Sequence, residues 1–280
     1  GHFWLNTMSF KNNIYLAFHK RILENNRFNS VKIEFFDLNQ IIDELNKLKI
    51  DIVINLAGIS NVDECERNPK LAYKVNQKLA KILAQACYKT GTKLIHISTD
   101  HFYGDFNKLH SEDDKTILLN HYAKSKYAGE CDVLNEYPEA LVCRTNFFGY
   151  GPKHRESFSD WIISSFKKKR SLYLFDDVLF SPLSGISVPK YAHKLLDLNA
   201  SGIFNLSADD AISKYRFGEY ICRYFNFPKE LIKKASLKER SDLTRRPLSM
   251  GLSNEKAIKF LGGGRFGNVS DHIVLLLEKE

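Results

Sequence analysis

Residues 93–130 read KLIHISTDHFYGDFNKLHSEDDKTILLNHYAKSKYAGE, and the fold follows from this stretch. Lys93 to Ser98 is an apolar run long enough for a buried strand and too short for a helix. Thr99 and Asp100 stand at its carboxyl end, where open α/β sheets place their chemistry. Tyr122-Ala-Lys-Ser-Lys126 then opens a segment of good helix formers. Side chains four apart share one helix face, so Tyr122 and Lys126 can address one ligand. A free phenol titrates near ~10, and a neighbouring ammonium favours the phenolate. The spacing therefore predicts an acidified tyrosine able to exchange a proton, with Thr99 fixing a carbonyl oxygen beside it. Tyr-x-x-x-Lys alone occurs by chance on many exposed helices. What carries weight here is strand, Ser-Thr-Asp, loop, Tyr and Lys in succession.

Outward from there the rhythm continues. Strands are predicted at Ile14 to Phe18, Val31 to Phe36, Asp51 to Leu56, Ala140 to Thr145 and Gly202 to Leu206. Between them lie helices from Asn39 to Leu48 and from Asn68-Pro69 to Gly91. The second has Asn68 as its cap and a stripe of Leu71, Val75, Leu79, Ile82, Leu83 and Ala86. Phe3, Leu5, Met8 and Phe10 suit a first helix. Strands alternating with helices predict a doubly wound parallel Rossmann sheet. Such a sheet is expected to begin with a strand and a glycine-rich turn, both ahead of Gly1. The rhythm breaks after Thr145. We expect a dinucleotide-binding domain over 1–146 with 186–208, which takes in a helix over 188–198, and a substrate lobe over 147–185 with 209–280, which takes in a helix over 158–166.

Composition sets limits. The 280 residues are 44% hydrophobic and 26% charged, ordinary for a globular protein. No apolar run approaches the ~18 residues that would cross a membrane. The five cysteines are scattered and odd in number, which fits reduced thiols and a cytoplasmic setting. The net charge of +8 follows from a Lys-rich composition rather than a nucleic-acid face, since basic and aromatic residues do not interleave on one element. Lys167 to Arg170 is the dense basic run and suits a helix terminus. Several residues have a plain structural reading: His96 as a core histidine, Asp37 as a helix cap, and Arg144 as a strand arginine as readily as a phosphate ligand.

The blocks DIVINLAGISNVDECERNPKLAYKVN, LIHISTDHFYGD, LNHYAKSKYAGE, RTNFF and RPLSMGLSNEKAIKFLG resemble, in order and over nearly the whole chain, the dTDP-4-dehydrorhamnose reductase family of extended short-chain dehydrogenases. The resemblance implies reduction of a 4-keto group on a nucleotide-linked deoxysugar, with Thr99, Tyr122 and Lys126 as the catalytic set. It implies cofactor contacts from Asp37 and Leu38 beside the adenine, from Leu56, Ala57 and Gly58 under the dinucleotide, from Asn76, and from Gly1 as the last glycine of the phosphate turn. Asp100, His101, Asn146, Phe147 and Arg246 are its expected substrate contacts; Phe147 stands where relatives commonly have Trp. The strand 14–18 ends in His19-Lys20-Arg21 rather than a carboxylate, which predicts NADPH over NADH, with NADH still open. No metal and no nucleic-acid or membrane partner is expected, and assembly as a homodimer is open. An epimerase or dehydratase on the same site, or a non-catalytic regulatory subunit, are the alternative readings.

Overall fold

The computed structural model describes residues 1–8, 13–18, 28–104, 108–151 and 156–277. In chain order, helix α1 (His2–Met8) precedes strands β1 (Tyr15–Phe18) and β2 (Asn29–Lys32), helix α2 (Leu38–Lys47) and strand β3 (Ile52–Asn55). Helices α3 (Val62–Arg67), α4 (Pro69–Tyr73) and α5 (Leu79–Thr90) lead to β4 (Lys93–Ile97), α6 (His121–Glu136) and β5 (Leu141–Thr145). The remaining chain holds β6 (Phe147–Phe148), α7 (Phe158–Lys167), β7 (Leu172–Phe175), β8 (Leu179–Phe180), β9 (Leu183–Ser184), α8 (Ser187–Asp197) and β10 (Gly202–Leu206). It closes with β11 (Ile212–Ser213), α9 (Lys214–Tyr224), β12 (Ile232–Ala235), β13 (Ser249–Met250), α10 (Glu255–Phe260) and α11 (Val269–Leu277).

The expected parallel α/β sheet is present. Its central piece has the order β10-β5-β4-β3, every pair parallel. A separate parallel pair, β1-β2, forms a second small sheet. Alternation along the strands explains why helices cover both faces. Leu94 and Val142 point into one apolar layer with Ile41 and Leu45 of α2, Ile82 of α5 and Val133 of α6. Their neighbours Ile95, Ile97, Leu141 and Cys143 point into the opposite layer, against Ile162 and Phe166 of α7, Leu195 of α8 and Phe217 of α9. Strands buried on both faces read as continuous apolar runs for this reason. β3 is less covered: Ile52, Val53 and Ile54 are only half-buried at the edge of the four strands.

Local chemistry corrects several boundaries. The strand expected over 31–36 ends at Lys32, because the chain turns at Glu34–Asp37, where Asp37 N–H donates to the Glu34 carbonyl. Asn68 is not a side-chain cap, since it is held as the C-cap of α3, its N–H on the Glu64 carbonyl. Asn61 instead caps α3. Between α4 and α5 the helix widens into a π turn, Lys74–Lys78, where Leu79 N–H reaches five residues back to the Lys74 carbonyl. The extra residue rotates the preceding face, so Leu71, expected in the apolar stripe, is 44% exposed and Ala72 is buried instead. In the terminal region short strands interleave with the helices: β11 and β13 pair with β8, and β12 with β7. Phe10 and the cluster His19-Lys20-Arg21 lie outside the described residues.

Candidate active site

The site grows from the carboxyl end of β4. The strand delivers Thr99 and Asp100 into the interior, where both are buried. Helix α6 starts cleanly because Asn120 accepts a hydrogen bond from Ala123 N–H. That start fixes Tyr122 and Lys126 on the face turned to β4. The Thr99 hydroxyl, which donates to Asp100 Oδ1 at 3.3 Å, lies close enough to the Tyr122 phenol to act on its proton affinity. Lys126 Nζ donates to the Ile97 carbonyl at 2.7 Å. Thr99, Tyr122 and Lys126 are thus gathered around one strand end.

The electrostatics differ from the expectation of an acidified phenol. Burial pushes the Tyr122 phenol well up, and the neighbouring Thr99 hydroxyl opposes this. The Lys126 ammonium faces a carbonyl, and itself falls to about 8 because burial disfavours its charge, partly offset by Glu130. Asp100 rises to about 6 through burial, although Asn146 Nδ2 donates to its Oδ2 at 2.7 Å. His101 packs edge-on to Tyr122, ring centres 5.2 Å apart, and burial lowers it to about 3.

Beside this cluster lies a pocket of about 270 Å³, its wall including Ser60, Val62, His101, Lys214 and Arg246. Tyr122 sits directly behind the wall, packed on Val62. Arg246, expected at the substrate, is in this wall with its guanidinium held by both oxygens of Asp63 at 2.9 and 3.0 Å. Phe147 is not brought to the pocket; it is 42% exposed and meets Phe3 of α1 edge-to-face at 5.9 Å.

On the other side of Lys126, the loop after β3 holds an exposed Leu56, then Ala57 and Gly58. Asn76, buried on the π turn, ties this loop to α6. Its Oδ1 accepts from Ile59 N–H at 2.8 Å, and its Nδ2 donates to the Ile59 carbonyl and to Ser125 Oγ at 3.0 Å. The Asn76 carbonyl presses so closely on Gly129 that any Cβ there would collide with it. Asp37 realises its plain reading as the cap of α2, accepting from Gln40 N–H at 3.1 Å, with Leu38 beginning the helix. Gly1 immediately precedes α1 and its carbonyl accepts from Leu5 N–H.

His96 is buried and accepts from Asn55 at 2.9 Å through Nδ1, while its Nε2 has no partner among the described residues. Arg144 is structural: Nε and Nη2 grip Glu130 at 3.1 and 2.8 Å, and Nη1 reaches Tyr103 at 2.8 Å. Among the described residues no group of acidic, His or Cys side chains could hold a metal, and no helix is long and apolar enough to cross a membrane. All five cysteines are free thiols. Asp63 and Lys214 were missed in the sequence. Asp63 lies inside the motif block 51–76, but nothing in Lys214's surroundings marks it.

A profile of the family described as the RmlD substrate binding domain matches residues 10–267. The chain belongs to that family. Its motif blocks resemble the dTDP-4-dehydrorhamnose reductases, and membership bears that resemblance out. Within reach of the family, the probable low-salt glycan biosynthesis reductase Agl14 of Haloferax volcanii is 30% identical over 221 residues, covering 77% of this chain and 73% of that protein. The dTDP-4-dehydrorhamnose reductase of Mycobacterium tuberculosis is 45% identical over 100 residues, which spans only 34% of this chain and 33% of that one. Among solved structures, dTDP-4-dehydrorhamnose reductase from Bacillus anthracis, in complex with NADP, superposes with a TM-score of 0.82 over 92% of this chain and 93% of that one. At 23% identity this likeness establishes the fold of the family member described here.

Proposed function

We propose that this chain is an NAD(P)H-dependent reductase of a nucleotide-linked 4-keto-deoxysugar, in the manner of the dTDP-4-dehydrorhamnose reductases. The observation that carries the reading is the gathering of Thr99, Tyr122 and Lys126 at the end of β4, Tyr122 and Lys126 one helical turn apart on α6 and Tyr122 clustered with Val62 of the pocket wall. A raised phenol pKa suits this direction of chemistry. Tyr122 keeps its proton across the physiological range and can donate it to a carbonyl oxygen that is becoming an alkoxide. Thr99 offers the same oxygen a second hydrogen bond, so both donors converge where negative charge develops.

The residues fit a nicotinamide dinucleotide. Small Ala57 and Gly58 leave the loop after β3 open to close approach. Lys126 has three N–H donors, of which the Ile97 carbonyl takes one, leaving two for ribose hydroxyls. The nicotinamide, when bound, supplies the hydride; the protein orients it and supplies the proton. Gly1, Asp37, Leu38 and Asn76 belong to the proposed cofactor side, and Asp100, His101, Asn146 and Arg246 to the substrate side. The basic residues Lys20 and Arg21 favour NADPH over NADH in this reading.

The test is consumption of reduced nicotinamide. With a dTDP-4-keto-6-deoxyhexose, wild type should oxidise NADPH in one-to-one ratio with sugar reduced. Product formation with no net NADPH loss would instead identify an epimerase or dehydratase. Tight nucleotide-sugar binding with no turnover would identify a regulatory subunit.

A further inference from the structure

Lys214 opens α9 and enters the pocket wall. Its Nζ lies 5.3 Å from the centre of the Phe158 ring and 5.9 Å from that of Phe180. The residue is half-buried, and while its backbone N–H donates to the Val178 carbonyl, its ammonium forms no hydrogen bond or ion pair among the described residues. The carboxylates nearby are committed elsewhere. Asp63 holds Arg246, and the two oxygens of Asp100 accept from Thr99 at 3.3 Å and from Asn146 at 2.7 Å. Across the pocket, the Nδ1 atom of His101 is buried and also lacks a partner among the described residues.

A partly desolvated ammonium without a contacting counter-ion is costly, and burial accordingly lowers its proton affinity. The two aromatic faces return only part of that cost. Lys214 nevertheless acts electrostatically on Asp100 and His101, the two residues that follow Thr99, so its charge lies beside the reacting end of the pocket. We infer that Lys214, with His101 opposite, forms an oxyanion subsite: the ammonium takes an anionic oxygen of the substrate, from the diphosphate of a nucleotide sugar or from a carboxylate on its hexose. The inference rests on the nucleotide-sugar reading above. Both sources present the same chemistry to the lysine, a charge-assisted bond worth about 10- to 100-fold in affinity.

Calorimetric titration of the whole chain separates them. The probes are dTDP against thymidine, and UDP-glucuronate against UDP-glucose, with wild type, Lys214→Met and Lys214→Arg compared. If the diphosphate is the ligand, the preference for dTDP over thymidine shrinks about 10-fold or more in Lys214→Met and returns in Lys214→Arg, while thymidine binding is unchanged. If the sugar carboxylate is the ligand, the glucuronate preference shrinks in the same pattern. Both preferences unchanged in Lys214→Met, or absent from wild type, would overturn the assignment. Should Lys214→Met melt below the assay temperature, Lys214→Gln gives the same readings with a polar side chain. Because these are binding measurements made without cofactor, a missing NADPH-oxidising activity sinks the reductase reading without touching this one.

Discussion

Replacing Arg144 by Met should cost the protein more than almost any other single substitution. The guanidinium is 2% exposed and its partner Glu130 is 1% exposed. It makes three contacts with that carboxylate at 3.1, 3.1 and 2.8 Å, and further bonds to Tyr103 at 2.8 Å and to the Glu112 carbonyl at 3.2 Å. Met fills the volume of the stem but leaves a buried carboxylate with no counter-charge. Breaking such a pair from one side costs about 3–5 kcal/mol, out of a typical total stability of about 5–15. Removing both charges together, as Arg144→Met with Glu130→Met, should recover most of the loss, since an apolar pair of similar volume is often neutral or better. Urea unfolding of the four proteins gives the coupling energy directly. Glu130 follows Lys126 by one turn on α6, so the singles should also lower turnover by disturbing where Tyr122 sits. A single-variant loss under about 1 kcal/mol, or a double variant equal to the sum of the singles, would refute the reasoning.

Three further outcomes are expected. Tyr122→Phe keeps the helix but removes the proton donor, so turnover should drop about 10²–10⁴-fold while NADPH affinity, read by fluorescence titration, stays near wild type. Asp100 has its folded pKa raised to about 6 by burial, so the native state holds a proton that the unfolded chain releases between about pH 4 and 6. Its share of stability is therefore full below about pH 4 and lost as pH rises to 6, on the order of 3 kcal/mol. His101, lowered to about 3, pulls the opposite way over that window, so the reading is wild type minus Asp100→Asn across a pH series of unfolding curves. Gly129→Ala should lower the melting temperature through an overpacking cost of about 1–3 kcal/mol, because its Cβ meets the Asn76 carbonyl, which is backbone and cannot swing away. An unchanged melting temperature would mean that α6 and the π turn slide apart easily.

The strands over 93–97 and 141–145 were legible because burial on both faces leaves a mostly apolar run, which turn chemistry does not obscure, and the edge strand over 202–206 keeps enough of that pattern in Ile203, Phe204 and Leu206. Legibility failed where one residue served two neighbours. Asn68 looks like a helix cap, and Pro69 does begin α4, yet the end of α3 claims its backbone first. Leu71 fits a 3.6-residue stripe only if the helix is uniform, and the π turn makes it otherwise. At the site, Thr99, Tyr122 and Lys126 could be read from strand end and helix spacing. Helix spacing says which side chains are neighbours, not which way an ammonium turns, and Lys126 turns to Ile97. Lys214 and Asp63 reach the pocket from positions far apart in the chain, by packing that no local pattern encodes.

The widened turn at Lys74–Lys78 also decides where this chain can lose a residue. Deleting one amino acid at the start of α5, ahead of Ile82, would turn the side chains that follow by about 100° and carry Ile82 and Ala86 away from the sheet. Deleting one within the π turn would only restore the ordinary four-residue ladder ahead of Leu79 and leave α5 in phase. The fold would survive that loss, but the Asn76 carbonyl would withdraw from Gly129 and its side chain from Ile59 and Ser125. In lineages that drop this residue, the helix should persist while the loop over 57–59 drifts free of α6.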